Sequence, residues 1–229
     1  MKTNVFLVIL FALLTGSITQ AQNNNEEMKL LFHPKEGGQK MANGGYGAFS
    51  VGWTQIDGKN AVVIGGRAAW IANHHFALGL AGNGFFNDFY NGGYESPESY
   101  FLAGGYGGIL IEPIVAPMSP VHASFPIILG MGGVTATPYG NDFSPHGGYY
   151  YDTYYYDSDA FFVFQPGVEV EFNIVKFFRI AVGASYRLTD GINLQYKYLD
   201  DANKENVIQV SSSALNSFNA AITFKFGWF

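Results

Sequence analysis

The chain has 229 residues with 12 Lys and Arg against 18 Asp and Glu, a formal net charge of −6 and a pI near 5.2. That balance excludes a nucleic-acid partner, which needs a basic surface, and the lack of cysteine excludes disulfides and thiolate metal sites. Only 13% of residues are charged, where about 25% is usual for a soluble domain, while 17% are aromatic and 29 are glycine.

Met1-Lys2, the apolar run Val5 to Leu14 and the small residues up to Thr19-Gln20-Ala21 have the layout of a secretory signal over 1–21. The run is too short to span a bilayer as a helix, which takes about 20 apolar residues. A polar leader follows over 22–43, with Asn23-Asn24-Asn25-Glu26-Glu27 at its start, and is expected to be a mobile periplasmic segment. No later stretch approaches the length of a membrane helix. High aromatic content and low charge then favour alternating strands, and a barrel is expected over 44–229.

Eight strands are predicted. In Ala48–Thr54, Phe49, Val51 and Trp53 face one way and Ser50, Gly52 and Thr54 the other. Asp57-Gly58 is a hairpin signal. Ala61–Ile71 follows, with Ile64, Gly66, Ala68 and Trp70 outward and Arg67 inward. After the short turn Ala72 to His75, Phe76–Asn83 returns with Phe76, Leu78 and Leu80 outward. Gly84 to Ser99 is a long loop. Tyr100–Ile111 carries apolar residues in both registers, so its facing is left open. Pro113 to Pro120, with three prolines, is a turn, and Val121–Ala136 puts Phe125, Ile127, Leu129 and Met131 on one face. Pro126 and Pro166 cannot donate to a ladder, so each marks a bulge or a strand end.

Thr137 to Asp159 is a second long loop. Ala160–Phe172 places Phe162, Phe164, Val168 and Val170 outward and Gln165, Glu169 and Glu171 inward. Phe177–Leu188 places Phe178, Ile180, Val182 and Tyr186 outward and Arg179, Ser185 and Arg187 inward. The turn at Asn173 to Lys176 predicts Glu171 opposite Arg179. Thr189 to Ala214 is the last long loop. Leu215–Phe229 closes the sheet with Ile222, Phe224, Phe226 and Trp228 on one face and Asn219, Ala221, Thr223 and Lys225 on the other.

Apart from the first outer turn at Asp57-Gly58, which is short, short and long connections alternate along the chain. That is the asymmetry of an all-β, eight-stranded antiparallel up-and-down transmembrane barrel. It implies the bacterial outer membrane, with both barrel termini periplasmic and the long loops extracellular. A soluble lipocalin-like barrel is the alternative, but rows such as Phe178, Ile180 and Val182 would face water in it.

From Tyr100 to Arg187 the chain resembles small outer-membrane barrels of Bacteroidetes-type bacteria. The resemblance lies in Gly104-Gly105-Tyr106-Gly107-Gly108 with Glu112-Pro113, His122-Ala123-Ser124-Phe125-Pro126, Pro166-Gly167-Val168-Glu169-Val170-Glu171 and Val182-Gly183-Ala184-Ser185-Tyr186-Arg187. More distantly it is similar to the eight-stranded barrels of the outer-membrane protein A and X type. The resemblance implies fold and location, and no established activity. One departure is that Phe229 falls one residue out of phase with Trp228 and Phe226. A final bulge, or anchoring through Trp228, would reconcile it.

Arg67, Glu169, Glu171, Arg179, Arg187 and Lys225 all fall on inward faces. They are expected to neutralise one another and fill the lumen, because unpaired buried charge is costly. His122 and Ser124 share a face, a spacing reminiscent of lipid A deacylases with Glu112 as the nearest carboxylate. Lumen packing is the competing account. His74-His75 and His146 lack ligand spacing, so no metal is expected, and no cofactor.

The segment Gly147 to Asp159 holds Tyr149, Tyr150, Tyr151, Tyr154, Tyr155 and Tyr156 with three aspartates and no Lys or Arg. It is either an interfacial aromatic collar or a contact surface for protein or glycan, with a cation site as a third reading. The function expected is a non-enzymatic structural or interaction protein, freestanding or a subunit of a larger envelope complex. Its partners would be outer-membrane lipid and lipopolysaccharide and other outer-membrane or periplasmic proteins. A lipid-modifying enzyme and a narrow pore are the alternatives.

Overall fold

A computed structural model describes residues 42–87, 100–138, 157–199 and 204–229. By internal contacts the chain divides into Met1–Lys40, which lies outside the described residues together with the signal and most of the leader, and Met41–Phe229. The second unit is a closed antiparallel barrel. Its strands are β1 (Asn43–Ile56), β2 (Lys59–Ala72), β3 (Phe76–Phe86), β4 (Tyr100–Val115), β5 (Val121–Ser124), β6 (Ile127–Pro138), β7 (Asp157–Val175), β8 (Phe178–Asp190) and β11 (Ser217–Trp228). β5 and β6 share one place in the wall between β4 and β7, so the ring has eight staves, and β1 pairs with β11 to close it.

Period-two alternation sets the two surfaces. Trp53, Leu80, Met131, Phe162, Val182 and Phe226 stand exposed on the outside, and their inward neighbours are buried. On β8 and β11 the outward rings pair across strands, with Phe178 and Phe226 stacked at 4.7 Å and Tyr186 and Phe218 edge-on at 4.7 Å. The sequence left β4 undecided. Its inward residues are Leu102, Tyr106, Leu110, Glu112 and Ile114.

The β1–β2 turn has Asp57 and Gly58 at φ 51° and 73°, the left-handed pair that a tight hairpin requires. Inward glycines make room for inner aromatics. A Cβ on Gly132 would lie 2.6 Å from Tyr106 Cβ and 2.7 Å from Phe161 Cζ.

Several boundaries differ from expectation. β1 begins at Asn43, one residue inside the expected leader. β3 runs on to Phe86, so Phe85 is a buried lumen residue and not a loop aromatic. β4 continues through Pro113 to Val115, and the turn shrinks to residues 116–120. The predicted fifth strand breaks at Phe125-Pro126. There Pro126 O accepts from Gly167 N and Pro113 O accepts from Phe125 N. Pro166, in mid-strand, faces Ile127 at the same break, so the two residues lacking an N–H meet where the ladder is already interrupted.

The register expected for β7 and β8 is also corrected. Arg179 sits opposite Asn173, and Glu171 sits opposite Ala181. An irregularity between Asn173 and Val175 shifts the hairpin and leaves Glu171 and Arg179 as diagonal neighbours. Finally, 189–214 is not simply a loop. It holds a hairpin of β9 (Gln195–Leu199) and β10 (Glu205–Gln209).

That hairpin segment closes one end of the barrel. Ile192, Leu194, Tyr196, Val210, Ala214 and Leu215 bury themselves against Phe85, Leu102, Tyr106, Phe161 and neighbouring wall residues. Polar bonds hold the cover to the rim. Asn193 N and Gln195 N donate to the carboxylates of Asp159 and Asp157 at 2.6 and 2.7 Å, and Asp57 N donates to Ala214 O at 2.7 Å. At the opposite, short-turn end a second cluster includes Tyr46, Ile71, Leu110 and Ile114, with Phe229 packed on it. The β1–β11 register runs straight to Gly45 opposite Trp228. No bulge corrects the phase of the last residue. Trp228 faces outward, and Phe229 turns into the lumen.

Candidate functional site

The barrel interior carries the polar chemistry, and its layout follows from register. Arg179, Lys225, Ala48, Arg67 and Ala81 occupy one row across β8, β11, β1, β2 and β3. Small residues between long cations leave space for them to lie across the lumen. On β5 and β7, His122 faces Glu171 and Ser124 faces Glu169. β4, which pairs with β5, brings Glu112 in beside them and across the lumen from β11.

Lys225 is the centre of the cluster. Its Nζ lies 2.5 Å from Glu112 Oε1, 2.7 Å from Glu171 Oε1 and 3.1 Å from Glu169 Oε2, with its side chain 1% exposed. Arg67 Nη2 donates to Glu169 Oε1 at 2.6 Å. Glu171 Oε2 meets His122 Nε2 at 3.1 Å and Arg179 Nη1 at 3.5 Å. The Tyr46 hydroxyl donates to Glu112 Oε2. The guanidinium of Arg179 also lies over the Phe229 ring, 3.9 Å from its centroid, so the last residue of the chain caps the cluster.

Glu112, Glu169 and Glu171 bring carboxylate oxygens within 4.8 Å of one another, a set that could hold a divalent cation. The ammonium of Lys225 already stands among them and supplies the positive charge.

Five of the six charged residues named from the sequence therefore meet. Arg187 does not. Its Nε donates to Leu215 O at 2.7 Å, but Nη1 and Nη2 have no hydrogen-bond partner among the described residues. It lies nearer the covered end, with its guanidinium carbon 5.1 Å from the Phe85 ring centroid and 5.7 Å from that of Tyr106. Sequence reasoning gave Glu112 only as a possible partner of His122, because β4's facing was open, and it did not name Tyr46.

The His122 and Ser124 pair takes a different form from a nucleophile and its base. His122 Nε2 is turned to Glu171, Ser124 Oγ has no hydrogen bond to any described residue, and both residues are buried. Between the ion cluster and the covered end lies a cavity of about 30 Å³, bordered by Ser50, Arg67, Asn83, Gln165, Glu169 and Asn219. It has room for about two waters. Arg67 Nη1 and Asn219 Oδ1 have no hydrogen-bond partner there among the described residues. Above it a chain of bonds runs from Tyr106 Oη to Gln165 Oε1 at 2.5 Å and from Gln165 Nε2 to Ser185 Oγ at 2.7 Å. The tyrosine-rich stretch Tyr149 to Tyr156 lies outside the described residues.

No family model and no curated protein matches this chain. Solved structures do. It is similar to a major outer membrane protein from Thermus thermophilus, with 9% identity over 82% of this chain and 100% of that one at a TM-score of 0.51. Neisserial surface protein A is 10% identical over 82% and 99% at 0.47. The attachment invasion locus protein Ail of Yersinia pestis is 12% identical over 81% and 98% at 0.45. At such identities the likeness speaks for fold alone, and the fold is the eight-stranded antiparallel β-barrel of outer-membrane proteins.

Proposed function

We propose that this chain is a non-enzymatic outer-membrane barrel that works as a structural or interaction protein through its loops, with a lumen closed to traffic. The observation that carries the reading is the occlusion of the interior. An apolar cover fills one end, a paired ion cluster fills the middle, and Phe229 lies over Arg179 at the other. An eight-stranded barrel has an interior that side chains nearly fill, and here the long ones neutralise each other. The apolar outer face, including Leu80, Phe162 and Phe226, supports residence in a bilayer.

Both barrel termini would then be periplasmic and the long connections extracellular, as in the small Bacteroidetes-type barrels that the chain resembles from Tyr100 to Arg187. Outer-membrane lipid and lipopolysaccharide would surround the wall. The contact surface is Tyr149 to Tyr156, since aromatic anchors dominate most interfaces. The partner at this surface is a protein of the outer membrane, and a periplasmic partner would have to meet the opposite end of the barrel.

The test is native co-purification from mild detergent, with wild type and with Gly147 to Tyr156 replaced by a Gly/Ser linker. The replacement stops short of Asp157 and Asp159, which hold the cover. The reading expects a stoichiometric partner that the replacement loses while the barrel still assembles. A barrel that assembles and keeps every partner ends the assignment of this segment.

A further inference from the structure

Arg187 is fully buried on β8, and among the described residues no carboxylate balances its charge; the group set against it is the Tyr106 hydroxyl. The three lumen glutamates are committed elsewhere: Glu112 to Lys225 and Tyr46, Glu169 to Lys225 and Arg67, Glu171 to Lys225, His122 and Arg179. At the covered end the carboxylates of Asp157 and Asp159 accept from the amides of the cover, and Asp57 accepts from the Tyr100 hydroxyl at 2.7 Å. Among the described residues no carboxylate pairs with Arg187. A buried guanidinium in this state is strongly unfavourable unless an anion completes it.

Nη1 and Nη2, the outer prongs of the fork, make no hydrogen bond of normal geometry to any described residue, and the Tyr106 hydroxyl is the polar group nearest in effect to them. Nε is already fixed by Leu215 O, so the plane of the group is set by the cover itself. Phe85 and Tyr106 present their rings to the guanidinium, and Phe161 packs on both, with ring centroids 6.5 and 6.4 Å away. A planar fork held among aromatic walls matches a two-oxygen acceptor.

We propose that Arg187 is the receptor for one oxyanion group, a carboxylate or phosphate, bound beneath the cover formed by residues 191–199 and 204–216. The oxyanion accepts from Nη1 and Nη2 and enters when the cover lifts from the rim. The cover is suited to lifting. It is attached by apolar contact and a few loop bonds, and its hairpin ladder is a separate sheet from the barrel wall. The ligand's charged group and the Leu215 carbonyl then share one guanidinium, so binding and closure stabilise each other.

The experiment uses the full chain folded in dodecylmaltoside, and in nanodiscs of phosphatidylcholine with or without phosphatidylglycerol. The probes are benzoate, its neutral counterpart benzamide, and inorganic phosphate. Two signals are followed: the guanidinium ¹⁵N resonances of Arg187 and the melting temperature. The expected result is a saturable shift of the Arg187 resonances and a rise in melting temperature with an oxyanion, and neither with benzamide. A response in dodecylmaltoside assigns a free anion, and a response confined to phosphatidylglycerol nanodiscs assigns a lipid headgroup. Arg187→Met should abolish the thermal response, and Arg187→Lys, which keeps the charge but loses the fork, should weaken it at least tenfold. Arg187 resonances indifferent to every probe, or a thermal response that Arg187→Met retains, overturn the proposal. The resonance measurement needs only the wild type, so it decides the matter even where a variant fails to fold.

Discussion

Lys225→Met removes the one cation that touches all three lumen glutamates, at 2.5, 2.7 and 3.1 Å. The methionine fills most of the volume, so the effect is electrostatic. Glu169 keeps Arg67, and Glu171 keeps His122 and Arg179. Glu112 keeps only the Tyr46 hydroxyl. Stranding one buried charge costs about 3–5 kcal/mol, and with one carboxylate of three left bare the expected loss is about 4 kcal/mol. Adding Glu112→Gln removes the stranded charge and retains an acceptor for Tyr46. The double variant should recover to within about 1–2 kcal/mol of wild type, the cost of one altered buried hydrogen bond. Reversible urea unfolding in lipid vesicles, read by heat-dependent electrophoretic mobility and tryptophan fluorescence, gives both values. A loss below about 1 kcal/mol for Lys225→Met, or a double variant no more stable than the single, would refute the cluster as the source of lumen stability.

Other outcomes follow from the ends and the wall. Phe229→Ala takes the ring from above Arg179 and should cost about 1–2 kcal/mol in the same unfolding assay; no change would mean that the ring does not cap the cluster. Asp157→Asn together with Asp159→Asn weakens the hold on the amides of Gln195 and Asn193. Hydrogen exchange should then speed up across 192–210 and stay slow in the wall strands, whereas uniform acceleration would mean that cover and barrel open together. Gly132→Val drives a side chain into Tyr106 and Phe161, and a loss of about 1–3 kcal/mol by urea unfolding is expected.

Much of the wall was legible because a strand's period is two. Phe49, Val51 and Trp53, or Phe178, Ile180 and Val182, could face only one way once Ser50 or Arg179 faced the other. The short turns at Asp57-Gly58 and Asn73 to His75 were legible for the same local reason. What escaped depended on ladder detail or on contacts distant in sequence. The irregularity after Asn173 moves Arg179 past Glu171, and no residue type there announces it. β4 has glycine or apolar residues in both phases, so Glu112 could not be placed in the lumen until its neighbours were known. The cover, residues 191–199 and 204–216, is polar enough locally to look like a loop, and its apolar face, Ile192, Leu194 and Tyr196, acquires meaning only against Phe85 and Phe161 across the chain. The charged residues were read as one group from their shared inward phase. Phase fixes a side and says nothing about depth, so the separation of Arg187 from the other five was invisible.

Conductance tests the central claim of a closed lumen most directly. Heat-modifiable wild-type protein is inserted into a planar lipid bilayer and held under voltage in concentrated KCl. The account predicts a silent membrane, because on the proposed reading the apolar cover, the Lys225 cluster and Phe229 together fill the lumen. Stable, ohmic unitary currents that scale with the amount of folded barrel would contradict it.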